Sequence, residues 1–270
     1  MRKLVYLAAV LLSLAFVFSS CTKNDDNNDD DNNVNTGDKE YLLTQFKMES
    51  ALVTTINDIS YNSDLNLDKI IERENGVVKT VKKYNLNGSL FIDCKWYSDE
   101  AMTNPIGSNA YTFNATGELT SMVEINGADT FNYSISWNAG KVSEYVAINN
   151  LAPFNDHKST FEWTGDNITK ETTYVRDSTG AFAMFDYRVY TYDDKINPFT
   201  VKYIPEVEEV AFYSKNNITK IEYYGPTGVI QSLSQFTYHY DDKDAPKDGT
   251  YDFGFTSGLL YYNYSELDKP

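Results

Sequence analysis

Few residues in this chain of 270 have the chemistry for catalysis. His157 and His239 are its only imidazoles, and Cys21 and Cys94 its only thiols. Zinc sites and Ser-His-Asp relays lean on histidine, so little is available to build them. His239 lies in Phe236-Thr237-Tyr238-His239-Tyr240, on the polar side of an alternating run, and is read as a solvated side chain. His157, within Asn155-Asp156-His157-Lys158, is read as a loop residue in water. Alternation groups Cys94 with Leu90, Ile92 and Trp96 on an apolar face, where burial raises the thiol pKa and leaves a small, inert core residue. No glycine-rich loop followed by Lys and Ser or Thr offers a phosphate cradle.

Paired carboxylates about 5 to 10 Å apart can hydrolyse glycosides. The obvious pairs here are Asp193-Asp194 and Asp241-Asp242. Both follow a Tyr-x-Tyr string, and a feature repeated in this way points to a turn, since Asp hydrogen-bonds its own turn backbone, whereas an active site is normally unique. No catalytic residue, metal site or cofactor is therefore assigned. Aromatic faces are the remaining chemistry: Trp96, Trp163, Tyr223 and Tyr224 are candidates for stacking on a glycan or a partner protein, against the alternative that they pack in the core or in cross-strand ladders. The consecutive pairs Tyr223-Tyr224 and Tyr261-Tyr262 must place one ring on each face of a strand.

Cys21 carries a different chemistry. Arg2 and Lys3 precede an apolar stretch from Leu4 to Phe18, too short to span a bilayer comfortably and right for the core of a secretory signal. Ser19 and Ser20 are small, and Cys21 follows. This resembles a bacterial lipoprotein signal, which implies removal of residues 1–20 and lipid on Cys21. The alternative is an ordinary signal cut near Ser20 that leaves a free thiol. Residues 21–40 include Asn24-Asp25-Asp26-Asn27-Asn28-Asp29-Asp30-Asp31-Asn32-Asn33, which buries too little to offset ordering and is expected to be a disordered tether. An acidic run behind such a cysteine resembles the surface-export signals of Bacteroidetes lipoproteins, which implies the outer face of the outer membrane. The run lacks the spacing and terminal Glu of a calcium loop.

The remaining residues, 41–270, suit one domain. Loss of Arg2 and Lys3 with the signal takes the net charge from −16 to −18, a surface that repels phosphate backbones and excludes nucleic acid. With Cys21 acylated, Cys94 has no partner for a disulfide.

The elements that must carry these residues are legible as a repeat. Tyr84-Asn85-Leu86-Asn87-Gly88-Ser89-Leu90 and Phe113-Asn114-Ala115-Thr116-Gly117-Glu118-Leu119 share one pattern, with looser copies at Trp137, Trp163, Tyr192, Tyr213 and Tyr240. Spacings of 21 to 29 residues signal stacked units, each the size of a β-hairpin. A longer echo sets Tyr190-Thr191-Tyr192-Asp193-Asp194-Lys195 against Tyr238-His239-Tyr240-Asp241-Asp242-Lys243, which reads as two tandem four-strand units. Phe131, Tyr133, Ile135 and Trp137 alternate with Asn132, Ser134, Ser136 and Asn138, the mark of antiparallel strands with one buried face. Residues 41–52 fit either a short helix or an extended lead-in.

These units resemble the YD repeats of Rhs-type proteins, and Tyr192-Asp193-Asp194-Lys195-Ile196-Asn197-Pro198-Phe199 is similar to strings in uncharacterised Bacteroidetes lipoproteins. The resemblance, over residues 65–248, implies hairpin geometry and no catalytic residue; seven copies are too few for an Rhs-type shell. The expected fold is an all-β antiparallel meander of hairpins, closed as an open twisted sheet, a sandwich or a barrel. The expected protein is a monomeric, lipid-anchored, non-enzymatic surface module that binds glycan or protein. Two alternatives stay open: a structural envelope lipoprotein without a small ligand, and a glycan-active hydrolase whose pocket would gather carboxylates or a His from separate strands.

Overall fold

The computed structural model describes residues 39–199, 208 and 210–269. The signal, Cys21 and the tether lie outside the described residues, except that Lys39 and Glu40 already belong to the first strand. In chain order the strands are β1 (Lys39–Ser50), β2 (Thr54–Tyr61), β3 (Leu67–Glu74), β4 (Val77–Asn87), β5 (Leu90–Tyr97), β6 (Pro105–Phe113), β7 (Leu119–Asn126) and β8 (Asp129–Asn138). They continue as β9 (Lys141–Asn149), β10 (His157–Thr164), β11 (Asn167–Arg176), β12 (Phe182–Ile196), β13 (Asn216–Tyr224), β14 (Ile230–Tyr240), β15 (Pro246–Asp252) and β16 (Ser257–Asp268).

Every strand pairs antiparallel with its sequence neighbours, and β1 pairs with β16, so the meander closes into a barrel. Closure leaves no edge strand with unpaired backbone groups. Residues 41–52, open between helix and strand in the sequence, supply most of the closing strand. The turns that follow odd-numbered strands, β1–β2, β3–β4 and so on to β15–β16, lie at one end, the distal rim. The remaining turns lie with Lys39 and Asp268 at the other, the proximal rim.

Local chemistry explains the hairpins. Asn75-Gly76 joins β3 to β4 and Ala139-Gly140 joins β8 to β9, each pair with positive φ, as two-residue turns matched to strand twist require. At the proximal rim the motif's Asn or Asp caps the turn. Asn114 Oδ1 accepts from the N–H groups of Thr116 and Glu118, and Asp241 Oδ1 from those of Lys243 and Ala245. Asp193 Oδ1 accepts from Lys195 N and Asn217 N, so both aspartates act as turn residues.

Inward aromatics of the even-numbered strands, the motif's Trp137, Trp163 and Tyr192 among them, are tied to the adjacent strand in the same way repeatedly. Tyr61, Tyr192, Tyr238 and Tyr264 hydroxyls donate to the carbonyls of Leu43, Ile168, Ile218 and Pro246, and the indoles of Trp137 and Trp163 donate to those of Leu119 and Val142. Each bond runs from an even-numbered strand to the strand before it. A buried ring thereby keeps its polar atom satisfied while locking the register.

The inner face is the core. Tyr133 and Ile135 are buried there with Cys94, Met122, Tyr145, Leu260 and Tyr262, while Asn132, Ser134, Ser136 and Asn138 face water. Gly258 and Gly249 mark two close approaches between strands: a Cβ on Gly258 would overlap Glu49 O, and one on Gly249 would overlap Thr237 O.

Four expectations are corrected. Tyr213 belongs to no strand; it sits in the loop between β12 and β13, after a 3₁₀ turn at Val210–Phe212. The 48-residue echo spans only two strands plus that long loop, so it is one hairpin with an insertion and no four-strand unit. Leu90 and Ile92 are exposed and do not share the face of Cys94, because a bulge between Asn85 and Leu86 shifts the register beside them. His157 opens β10 and points inward.

Candidate functional site

The described residues of the loop after β12 turn into the barrel. Phe199 meets Phe46 and Tyr262 edge-on or tilted at 5.7 and 6.3 Å, and Tyr213 meets Trp137 and Phe161 at 6.4 Å each. The described parts of the loop thus touch β1 and β16 on one side and β8 and β10 on the other. Asn197 Nδ2 donates to Ala211 O and Ser214 O, which folds the loop's two arms together. Beside it an apolar cavity is lined by Phe46, Phe199, Phe236, Phe253 and Leu260, and its polar neighbour Asn217 is already committed to Asp193.

Ionisable side chains gather on the inner wall from β10 to β12. Glu171 is 2 % exposed and accepts from Ser159 Oγ at 2.8 Å, Tyr190 OH at 2.8 Å and Arg188 Nη1 at 3.2 Å. Arg188 also lies 5.5 Å over the Tyr223 ring. Asp186 sits in the next inward position of β12, and burial raises its carboxyl pKa against the pull of Arg188. His157 Nε2 meets Glu208 Oε1 at 2.8 Å, and the same oxygen accepts from Tyr133 OH at 3.0 Å. Burial opposes charge on both partners. The bond and mutual attraction outweigh it, holding His157 above and Glu208 below their ordinary values.

This cluster brings a histidine and three carboxylates from separate elements to one wall, the feature the hydrolase reading asks for. Its bonding fits a staple better than a catalyst. Glu171, the carboxylate at the centre of the cluster, takes three donors and has almost no exposed surface, so it is neither free nor reachable for a substrate. Buried charges that are paired and hydrogen-bonded in this way specify one packing arrangement. Among the described residues, no group of three or more His, Cys, Asp or Glu side chains is disposed to hold a metal ion.

The four aromatic candidates do not form one platform. Trp96 on β5 and Trp163 on β10 are half-buried against the core, and each carries a lysine over its ring, Lys82 at 5.5 Å and Lys141 at 5.2 Å. Tyr223 faces inward against Arg188, whereas Tyr224 faces outward and stacks on Tyr187 at 4.7 Å. Tyr223 and Tyr224 therefore occupy opposite faces, as consecutive strand residues must. His239 is exposed on the outer face beside Asp248, while His157 is enclosed by Tyr133, Tyr145 and Phe131. Alternation within the run that follows was the available signal for His157, which shares the parity of the buried Ser159 and Phe161; in the structure it pairs with the buried Ala147.

No protein-family model matches the chain, and no curated protein matches it. Solved structures do. A porin-like protein from Bacteroides uniformis aligns with a TM-score of 0.54 at 14 % identity, covering 82 % of this chain and 95 % of that one. A porin-like protein from Bacteroides vulgatus aligns at 12 % identity and a TM-score of 0.40, covering 83 % and 99 %. At 14 % identity the first of these likenesses is one of fold alone.

Proposed function

We propose that this chain is a Bacteroidetes cell-envelope protein held at the outer membrane by lipid on Cys21, and that its barrel is a monomeric, non-enzymatic module that binds glycan or protein at the cell surface. One observation carries the reading of the barrel: its wall is the reverse of a bilayer-spanning one. Membrane barrels alternate apolar residues toward lipid with polar residues toward the lumen. Here most aromatics turn inward, Tyr187 and Tyr224 being outward exceptions, and the outer wall carries the ion pairs Lys158–Glu144, Lys170–Glu162 and Lys220–Glu222, together with the paired Arg73 and Asp58. Charges on that face oppose insertion, most strongly toward a bilayer midplane, so the porin-like description of the first neighbour does not carry over as a channel. An attachment outside the barrel is then needed, and the lipoprotein-like sequence around Cys21 supplies it. The hairpins in turn read as degenerate YD-like repeats.

Metabolic labelling with a radioactive fatty acid tests the anchor. Label is expected on the wild-type protein and none on Cys21→Ala; unlabelled wild type overturns it. Protease treatment of intact cells then tests surface exposure, and a glycan array tests the sugar version, which fails if the protein binds none.

A further inference from the structure

The two rims differ in a way that no packing requirement explains. Among the described residues, the large apolar side chains with 63 % or more of their surface exposed are Leu52, Val77, Leu151, Phe154, Val229 and Phe255. All six belong to the distal rim. Leu52 lies in the β1–β2 turn, Val77 beside the β3–β4 turn, Leu151 and Phe154 in the β9–β10 turn, Val229 in the β13–β14 turn and Phe255 in the β15–β16 turn. Proximal turns expose Asp64, Gly88, Gly117, Gly140, Asp166 and Asp242 instead. A scattered exposed Leu or Phe needs no explanation, and the half-exposed Leu90, Ile92, Val123, Ile196 and Leu233 are of that kind, but the gathering of the six most exposed at one end does need one.

We propose that the distal rim is a lipid-contact surface, its apolar tips entering the boundary between headgroups and acyl chains of a bilayer. Three features favour a lipid surface over a protein. The tips stand singly on separate turns around a closed ring, so a protein would need several matching sockets at fixed spacing. A fluid apolar slab accepts isolated side chains at any spacing. The barrel wall behind the tips exposes some apolar side chains, Ile125 and Leu259 among them, but also carries outward charges at Lys47, Asp58 and Arg73, so entry stops near the turns and the protein lies on the membrane without spanning it.

Charge narrows the lipid. The distal turns also carry Asp99, Glu100, Asp129, Asp177 and Asp252, and the whole chain has a net charge of −16, so a zwitterionic surface is favoured and an anionic one repels. Reach is sufficient even though the chain enters at the proximal rim. From Cys21 to Lys39 an extended chain covers roughly 60 Å, whereas strands of 8 to 12 residues are about 27 to 40 Å long. An anchored molecule can therefore turn this rim to its own membrane. The surface does not depend on the lipid at Cys21.

Flotation with vesicles tests the proposal. Residues 22–270 contain every strand of the closed barrel and carry neither signal nor lipid. This protein is expected to float with phosphatidylcholine vesicles and to float less with vesicles enriched in phosphatidylglycerol at low salt. The combined variant Leu52→Ser, Phe154→Ser, Val229→Ser and Phe255→Ser should keep its melting midpoint, because all four positions are exposed, and lose at least tenfold in vesicle partitioning. A Phe154→Trp reporter should shift its emission to the blue when vesicles are added. The proposal is overturned if residues 22–270 stay with the lipid-free fraction, if the combined variant floats as well as the parent, or if the parent forms a dimer without vesicles that the same substitutions dissolve. The last result would assign the rim to a second copy of the chain.

Discussion

Replacing Glu171 with leucine is the sharpest test of whether the inner charge cluster is a staple. The carboxylate is buried, and three donors converge on it from Ser159, Tyr190 and Arg188. Glu171→Leu leaves the guanidinium without its main partner, a change that costs about 3 to 5 kcal/mol in a dry interior. The Arg188 side chain keeps 21 % of its surface exposed, so water relieves part of this and about 2 to 4 kcal/mol is expected. Two hydroxyls lose their acceptor in the same step, and that loss is counted within the figure. For a domain of this size each kcal/mol moves the melting midpoint by about 2 to 4 °C, so a fall of roughly 5 to 15 °C should be seen. Adding Arg188→Met removes the stranded charge and should restore most of the stability, since a matched hydrophobic pair often replaces a buried ion pair at no cost. Urea unfolding of the four proteins gives the cycle from midpoints at constant slope. A loss under about 1 kcal/mol for Glu171→Leu, or a double variant equal to the sum of the singles within about 0.5 kcal/mol, refutes the staple.

Three further outcomes are expected. An NMR titration should place the His157 midpoint above the ordinary histidine value of about 6.5, and Glu208→Gln should lower it by removing the bond and charge that offset burial. The pair's contribution to stability is then full between about pH 4.5 and 6.5, fading above as His157 deprotonates through its raised pKa and below as Glu208 protonates through its lowered one; Glu208 is 47 % exposed, so the amplitude is small. Tyr238→Phe removes the donor to Ile218 O and should cost about 1 kcal/mol in thermal melts, whereas Tyr187→Phe, outside the hydroxyl-to-carbonyl series, should cost little. Gly258→Ala forces β16 from β1 at the closing seam and should depress soluble yield, while alanine at the nearby exposed Ser257 should not.

Much of the barrel was legible because each hairpin announces itself locally. Period-two alternation in Phe131-Asn132-Tyr133-Ser134 assigns a face to every residue, and the Asn or Asp after several of the aromatics, as at Asn114 and Asp241, caps its own turn within four residues. Cys94 was legible as a core residue for the same reason. The failures occur where a single residue shifts the count. The bulge beside Leu86 moves Leu90 and Ile92 off the face of Cys94, and alternation cannot show a bulge that depends on the partner strand. Tyr213 copies the motif's aromatic and polar residues without its hairpin, since a loop ring packed against Trp137 and Phe161 obeys the same preference for burial as a strand ring.

By sequence alone this protein is an antiparallel chain of hairpins with aromatic faces, turn-forming aspartates and a lipoprotein-like start, because alternation, turn chemistry and signal patterning act over a few residues. Only the tertiary structure decided that β1 meets β16, that the aromatic face turns inward, and that Glu171, Arg188, His157 and Glu208 share one wall while the apolar turn tips share one rim. Those are relations between residues as far apart in the chain as Lys39 and Asp268. They exist only once the sheet has closed, since closure gives every strand an inside and every turn an end.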